Sequence, residues 1–172
     1  MPSFLSIQNF CMSEKIETTT VKEYLERDEL DDEQRSDLAA ATLARQSAHR
    51  PYSTFLVGAA IRTYDGEVYS GWNVENIVYK GTHAEVNTVG RLTPQSREAG
   101  IKRLTVVGGP AGNENFDVPC RPCGDCRQFC LEFLKEGDNP EVISAAIKGR
   151  VLKTFLRDDL PDAFFPDILR KK

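Results

Sequence analysis

Four of the chain's five cysteines lie in CRPCGDCRQFC, residues 120–130, spaced C-x2-C-x2-C-x3-C. Thiols clustered this tightly point to metal or redox chemistry rather than to a disulfide framework. Two ions compete for the string. The full spacing suits an iron–sulfur cluster, yet in the bacterial ferredoxin run the fourth cysteine serves a second cluster and a proline follows it. Here Leu131 follows Cys130, there is no second cysteine run, and nothing supports Cys11 as completing a set with the first three. Cys130 also shares an apolar stripe with Phe129 and Phe133 and reads as a core thiol. The shorter string Pro122-Cys123-Gly124-Asp125-Cys126 has zinc spacing and sits at a predicted helix start, where backbone N–H groups favour thiolates. Two thiolates and one neutral imidazole leave zinc formally uncharged. A fourth position then stays open for water, which is the layout of a catalytic site.

The chain has two histidines. His49 precedes Arg50-Pro51 at a helix end and reads as a surface or capping residue. His83 begins His83-Ala84-Glu85. Taken alone, Thr82 and Glu85 form a capping box, with His83 merely packed nearby. Taken with PCGDC downstream, H-x-E and P-C-x-x-C make the zinc-deaminase pattern, in which the Glu carries protons and does not ligate. Thr82 can still cap the helix while Glu85 faces the water. Cys120 reads as an inert loop residue.

These residues need elements to hold them. Asp31 and Gln34 predict a capped helix over 33–48, with Leu38, Ala41, Ala44 and Ala48 on one face. FLVGAAIR, 55–62, is a short apolar run of strand length, and the Asp65-Gly66 turn returns 67–72 as its hairpin partner. A helix is predicted from His83 to Leu92, stopped before Pro94. LTVVGG, 104–109, and VISAAI, 142–147, read as buried strands around an amphipathic helix over 124–136. A hairpin followed by alternating helix and strand predicts a mixed sheet with helices on its faces. Residues 1–32 are polar and irregular, with a weakly helical stretch VKEYLERDEL, and read as an N-terminal extension to a catalytic domain over 33–172.

At 172 residues the chain has length for one domain with a real core, and 28% charged residues match an ordinary soluble balance. A net charge of -4 argues against a nucleic-acid polymer as partner. No apolar run approaches the roughly 18–20 residues of a membrane span. The start, MPSFLSIQNFCMSEK, lacks a basic region followed by an apolar run, so a cytoplasmic location is expected.

Over about residues 35–167 the sequence resembles the cytidine deaminase family. The likeness rests on PYSTFLVGAA (51–60), GWNVEN (71–76), HAE (83–85), PCGDCRQF (122–129) and LPDAFFP (160–166), in the family's order. The resemblance implies a three-layer α/β/α sandwich around a mixed five-stranded sheet. It implies one zinc ion per chain on His83, Cys123 and Cys126, with Glu85 as the acid–base group. Asn73 and Glu75 match the pair that holds the ribose 3′-hydroxyl. Phe55 matches an aromatic at the nucleoside site, and the backbone N–H of Ala84 matches the group that meets the pyrimidine 2-oxo oxygen. Phe164 matches a C-terminal aromatic that stacks on the base across a subunit boundary. The implied partner is a small nucleoside, cytidine or deoxycytidine, handled in pyrimidine salvage by a homo-oligomer, a tetramer before a dimer.

The chain departs from the short, tetrameric members in coherent ways. They place a Cys at the position of His83 and an Arg at that of Val86. Three thiolates make such a site formally -1, which the Arg offsets; a His ligand removes the excess, so a neutral neighbour suffices. The stretch from Glu75 to His83 is shorter than in the family, and HAEVN resembles deoxycytidylate deaminases. Arg121 stands where the family has a small hydroxyl residue, and a guanidinium there favours an anion. Deoxycytidylate or a nucleoside analogue is therefore the alternative substrate, and a zinc-binding module the non-enzymatic one.

Overall fold

The computed structural model describes residues 22–165. One mixed sheet runs through the chain in the order β1-β6-β5-β4-β2-β3. Its strands are β1 (Glu23–Leu25), β2 (Phe55–Thr63), β3 (Val68–Trp72), β4 (Ile101–Pro110), β5 (Glu141–Ala145) and β6 (Val151–Phe155). Only β4 and β5 pair in parallel; the other neighbours are antiparallel. The sheet has six strands where the resemblance implied five. The sixth, β1, comes from the stretch predicted as weakly helical, where Leu25 aligns with Val151 and Tyr24 with Leu152. Pairing with the exposed edge of β6 outweighs the local helical preference there, and a short 3-10 turn, Arg27–Glu29, follows.

Helix α1 (Asp32–Arg45) covers one face. Its capping box forms as predicted: Gln34 N–H donates to Asp31 Oδ1 at 2.7 Å, and Asp31 N–H donates to Gln34 Oε1 at 3.0 Å. Leu38 and Ala41 pack on Ala60, Val107, Ile143 and Ala145. Helix α1 lies so close to the sheet that a Cβ on Gly58 would come within 2.1 Å of the Ala41 carbonyl. The other face carries α2 (Ala84–Val89), α3 (Pro94–Ala99) and α4 (Gly124–Leu131). There Ala84, Val89, Cys130 and Leu131 meet Ala59, Ile61, Leu104, Val106 and Val142. The two apolar sets interleave along β2, with Ala59 and Ile61 to one side and Ala60 to the other, as the period-2 pleat requires. This is the expected three-layer α/β/α arrangement.

The Asp65-Gly66 turn closes the β2–β3 hairpin, with Gly66 at φ +90°, a conformation that suits a residue without Cβ. Helices α2 and α4 both end short of their predicted C-termini. Gly90 terminates the first, and after Leu131 the second turns so that the Phe133 carbonyl accepts from Ile101 N–H at 3.2 Å. One end of the sheet therefore gathers the start of β2, the exit of β3, the exit of β4 and the N-termini of α2 and α4.

Candidate active site

Two of the three predicted metal residues are helix N-caps. His83 precedes α2 and Cys123 precedes α4; both are extended (ψ 154° and 171°) and neither side chain caps its helix. Both side chains are thus free of local backbone bonding and turn toward each other. Cys126 lies one turn into α4. His83 Nδ1 is 3.2 Å from Cys126 Sγ and 3.3 Å from Cys123 Sγ. The three ligand atoms lie within 4.8 Å of one another, and among the described residues this is the one His/Cys/Asp/Glu group so arranged. Cys126 is fully buried while Cys123 is exposed, so the group is enclosed on one side and open on the other. That donor set and geometry fit zinc with an open position. Burial pushes the Cys126 thiol well above its ordinary pKa, with the nearby Glu85 charge adding to it. A cation at this point reverses that balance and makes a thiolate the stable form.

Glu85 sits in the first turn of α2 and is only 5% exposed. Burial raises its pKa; a backbone hydrogen bond and contact with the Cys126 thiol oppose the rise. It forms no capping box with Thr82, because the N-cap position falls one residue later, on His83. Glu85 therefore keeps its carboxylate for the cavity. Cys120 is not part of the metal group. Its thiol packs over Gly108 beside Phe55, and burial pushes its pKa up to about 12. Cys130 is a fully buried core thiol, as expected, and Cys11 lies outside the described residues. His49 meets the site through its backbone, accepting from Glu75 N–H and donating to the Asn73 carbonyl, and is no part of the metal group.

A cavity of ≈ 330 Å³ opens over these groups, within the usual range for small ligands. Phe55, Asn73, Glu75, His83, Ala84, Glu85 and Cys123 all line it, so eight of the nine predicted site residues converge once buried Cys126 is added behind them. The ninth, Phe164, is 54% exposed and outside the cavity lining. Its backbone is clamped to α4 by Gln128, which donates to its carbonyl at 2.7 Å and accepts from its N–H at 3.1 Å.

Asn73 is held as it leaves β3. Its Oδ1 accepts from Val57 N–H at 2.8 Å and its Nδ2 donates to the Phe55 carbonyl at 3.2 Å. Glu75 accepts from the Ser53 hydroxyl and from the N–H groups of Ser53 (3.0 Å) and Tyr52 (2.9 Å). Those bonds, the Ser53 hydroxyl first, hold its carboxyl below the usual range. Ser53 thus supports the site, although sequence reasoning gave it no role; its place in PYST beside Phe55 was the available signal. Arg121 also lines the cavity, but its Nη2 is bound to Asp159 Oδ1 at 2.6 Å. Asp159 carried no signal in the sequence, being 38 residues away from its partner.

The family described as "Cytidine and deoxycytidylate deaminase zinc-binding region" matches residues 32–136. The chain belongs to this family. It is 36% identical over 127 residues to the cytidine deaminase of Sporosarcina psychrophila, covering 74% of this chain and 88% of that protein. A cytidine deaminase of Mycobacterium tuberculosis is 38% identical over 133 residues, 77% of this chain and 90% of its own length. Among solved structures, the cytidine deaminase from Burkholderia pseudomallei superposes with a TM-score of 0.61 at 37% identity, covering 76% of this chain and 98% of that one. The protein is therefore a hydrolase of the cytidine deaminase type with one zinc ion as its cofactor. Among the described residues, no helix is long and apolar enough to cross a membrane.

Proposed function

We propose that the chain hydrolyses the C4 amino group of cytidine, deoxycytidine or both, giving the uracil nucleoside and ammonia. The observation that carries this is the buried carboxylate of Glu85 beside the His83–Cys123–Cys126 group, at the base of a cavity walled by Asn73 and Glu75. His83, Cys123 and Cys126 hold the zinc, which when bound activates a water as nucleophile. Glu85 takes the proton of that water and delivers it to ring N3 as C4 is attacked. The same carboxylate then takes the remaining proton from the new C4 hydroxyl and passes it to the amino group, which leaves as ammonia while the 4-oxo group forms. Asn73 and Glu75 bind the sugar, so that energy gained away from the reacting carbon orients it. Phe55 walls the nucleoside, and the Ala84 N–H meets the 2-oxo oxygen.

Deoxycytidylate is the second reading, for which HAEVN and Arg121 speak. The pairing with Asp159 weighs against it, since the guanidinium is already charge-matched and both Glu75 and Glu85 face the cavity. The exposed Phe164, held outward on α4 and away from its own cavity, fits stacking on a base in a neighbouring subunit of a homo-oligomer, a tetramer in preference to a dimer. The catalytic unit is residues 33–172, preceded by an extension over 1–32, and the setting is cytoplasmic pyrimidine salvage.

The deciding test is Glu85→Gln. It should retain about one zinc per chain by elemental analysis and lose at least the ~10²–10⁴-fold typical of general acid–base catalysis. Near-normal turnover of cytidine and deoxycytidine in that variant would remove Glu85 from the mechanism.

A further inference from the structure

The two metal thiols lie in Pro122-Cys123-Gly124-Asp125-Cys126, the entry and first turn of α4, with Arg121 and Arg127 immediately outside its ends. Both arginines reach the same residue. Arg121 Nη2 donates to Asp159 Oδ1 at 2.6 Å, and Arg127 Nη1 donates to the Asp159 main-chain carbonyl at 2.6 Å. Asp159 is itself fixed. Its Oδ2 accepts from Thr154 Oγ1 of β6 at 2.7 Å, and its N–H donates to the Phe155 carbonyl at 3.0 Å. The Asp159 side chain is 1% exposed, against 36% for Arg121.

We propose that Asp159 is a positioning residue for the metal site, gripping the thiolate turn from both ends and tying it to the sheet through β6. The inference rests on the reading that His83, Cys123 and Cys126 hold the zinc. A buried carboxylate with two committed oxygens is a stiff anchor, because moving it would strand a charge away from both partners. Cys123 needs such an anchor. It is exposed, it precedes its helix, and no side-chain cap fixes it there. Without Asp159 the Arg121 end of the turn is released, and the distance between the two thiolates is no longer set before metal arrives. Groups hydrogen-bonded to metal ligands typically change metal affinity by about 10–100-fold; Asp159 acts one step further out, through Arg121 and Arg127, so the lower end of that range applies.

The test uses the full-length zinc-loaded protein and measures zinc release to a chromogenic chelator. Asp159→Asn keeps size and the Arg127 bond to the main-chain carbonyl but removes the charge that holds Arg121. Release should accelerate at least about 10-fold. Arg121→Ser should accelerate it to the same degree, and the double variant no further, since all three break one contact. In the cobalt-substituted variants the thiolate-to-metal bands should broaden or shift. Should Asp159→Asn fail to fold, Arg121→Ser carries the test alone, its side chain being partly solvent-exposed. Wild-type release rates and unchanged cobalt spectra, with only a lower melting temperature, would make the contact purely structural and overturn the proposal. A wild-type protein that holds no zinc would instead overturn the site reading beneath it.

Discussion

The site contains two carboxylates with opposite environments. Glu85 is buried, and desolvation makes it a weaker acid than an ordinary glutamate; Glu75 is hydrogen-bonded by Ser53 and Tyr52 and is a stronger one. Such divergence separates an acid–base group from a group that only binds. The sign fixes the pH dependence. Glu85 must be ionised to accept a proton, so activity is lost as pH falls through its raised pKa, while Glu75 is still ionised. The acid limb of kcat/KM should therefore belong to Glu85, at a pH set by its burial against the opposing charge of a bound cation. Glu75→Gln should weaken cytidine binding, seen mainly in KM, yet leave the limb in place. A limb that moves with Glu75→Gln would give the titration to the wrong carboxylate. Asn73 differs again, because its amide bonds Phe55 and Val57 across the hairpin. Its replacement should cost both stability and KM.

At the scale of elements, α2 and α4 give up ordinary capping to place His83 and Cys123. A good N-cap contributes about 1 kcal/mol, and neither residue supplies one. Cys123→Ser should therefore stabilise the metal-free protein by up to roughly 1 kcal/mol while weakening zinc retention. Thermal melts of apo and zinc-loaded protein check this, with the two expected to move in opposite directions relative to wild type. Gly71→Ala addresses the same helix from the sheet. A Cβ there would meet Thr88 Oγ1 at 2.7 Å and Thr88 N at 2.9 Å, pushing α2 and Glu85 off β3. It should lower both stability, by about 1–3 kcal/mol, and turnover. The sequence carried the local features: the Asp31–Gln34 box, the Asp-Gly hairpin, and the HAE and PCGDC strings all report on near neighbours. It did not carry β1, whose residues prefer helix until β6 offers a partner. Nor did it show β6, where VLKTF is short and sits between its hairpin neighbour β5 and the distant β1. Asp159 was hidden for the same reason, since nothing within a few residues of it hints at Arg121 or Arg127.

For the whole molecule, the segment just before α1 decides how far the catalytic unit stands alone. Leu30 is 2% exposed within the cluster beneath α1. Arg27 donates to the carbonyls of Gly149 (3.1 Å), Ala146 (2.9 Å) and Ile147 (3.3 Å), and β1 covers the edge of β6. Removing residues 1–32 exposes that edge, empties the Leu30 seat and deletes the Asp31 cap. Burial of a leucine contributes about 1.5–3 kcal/mol and the cap about 1 kcal/mol. A loss of roughly 3 kcal/mol leaves a domain of ordinary stability, about 5–15 kcal/mol, still folded. The cavity draws its walls from β2, β3, α2 and the turn before α4, while β1 and β6 form the opposite side of the sheet. The truncated protein should therefore unfold at a lower denaturant concentration and keep kcat for cytidine within a few-fold. Among the described residues Asp159, carried beyond β6, bonds that edge to the metal turn, so a loss of zinc on truncation should be reproduced by Asp159→Asn in the full-length chain.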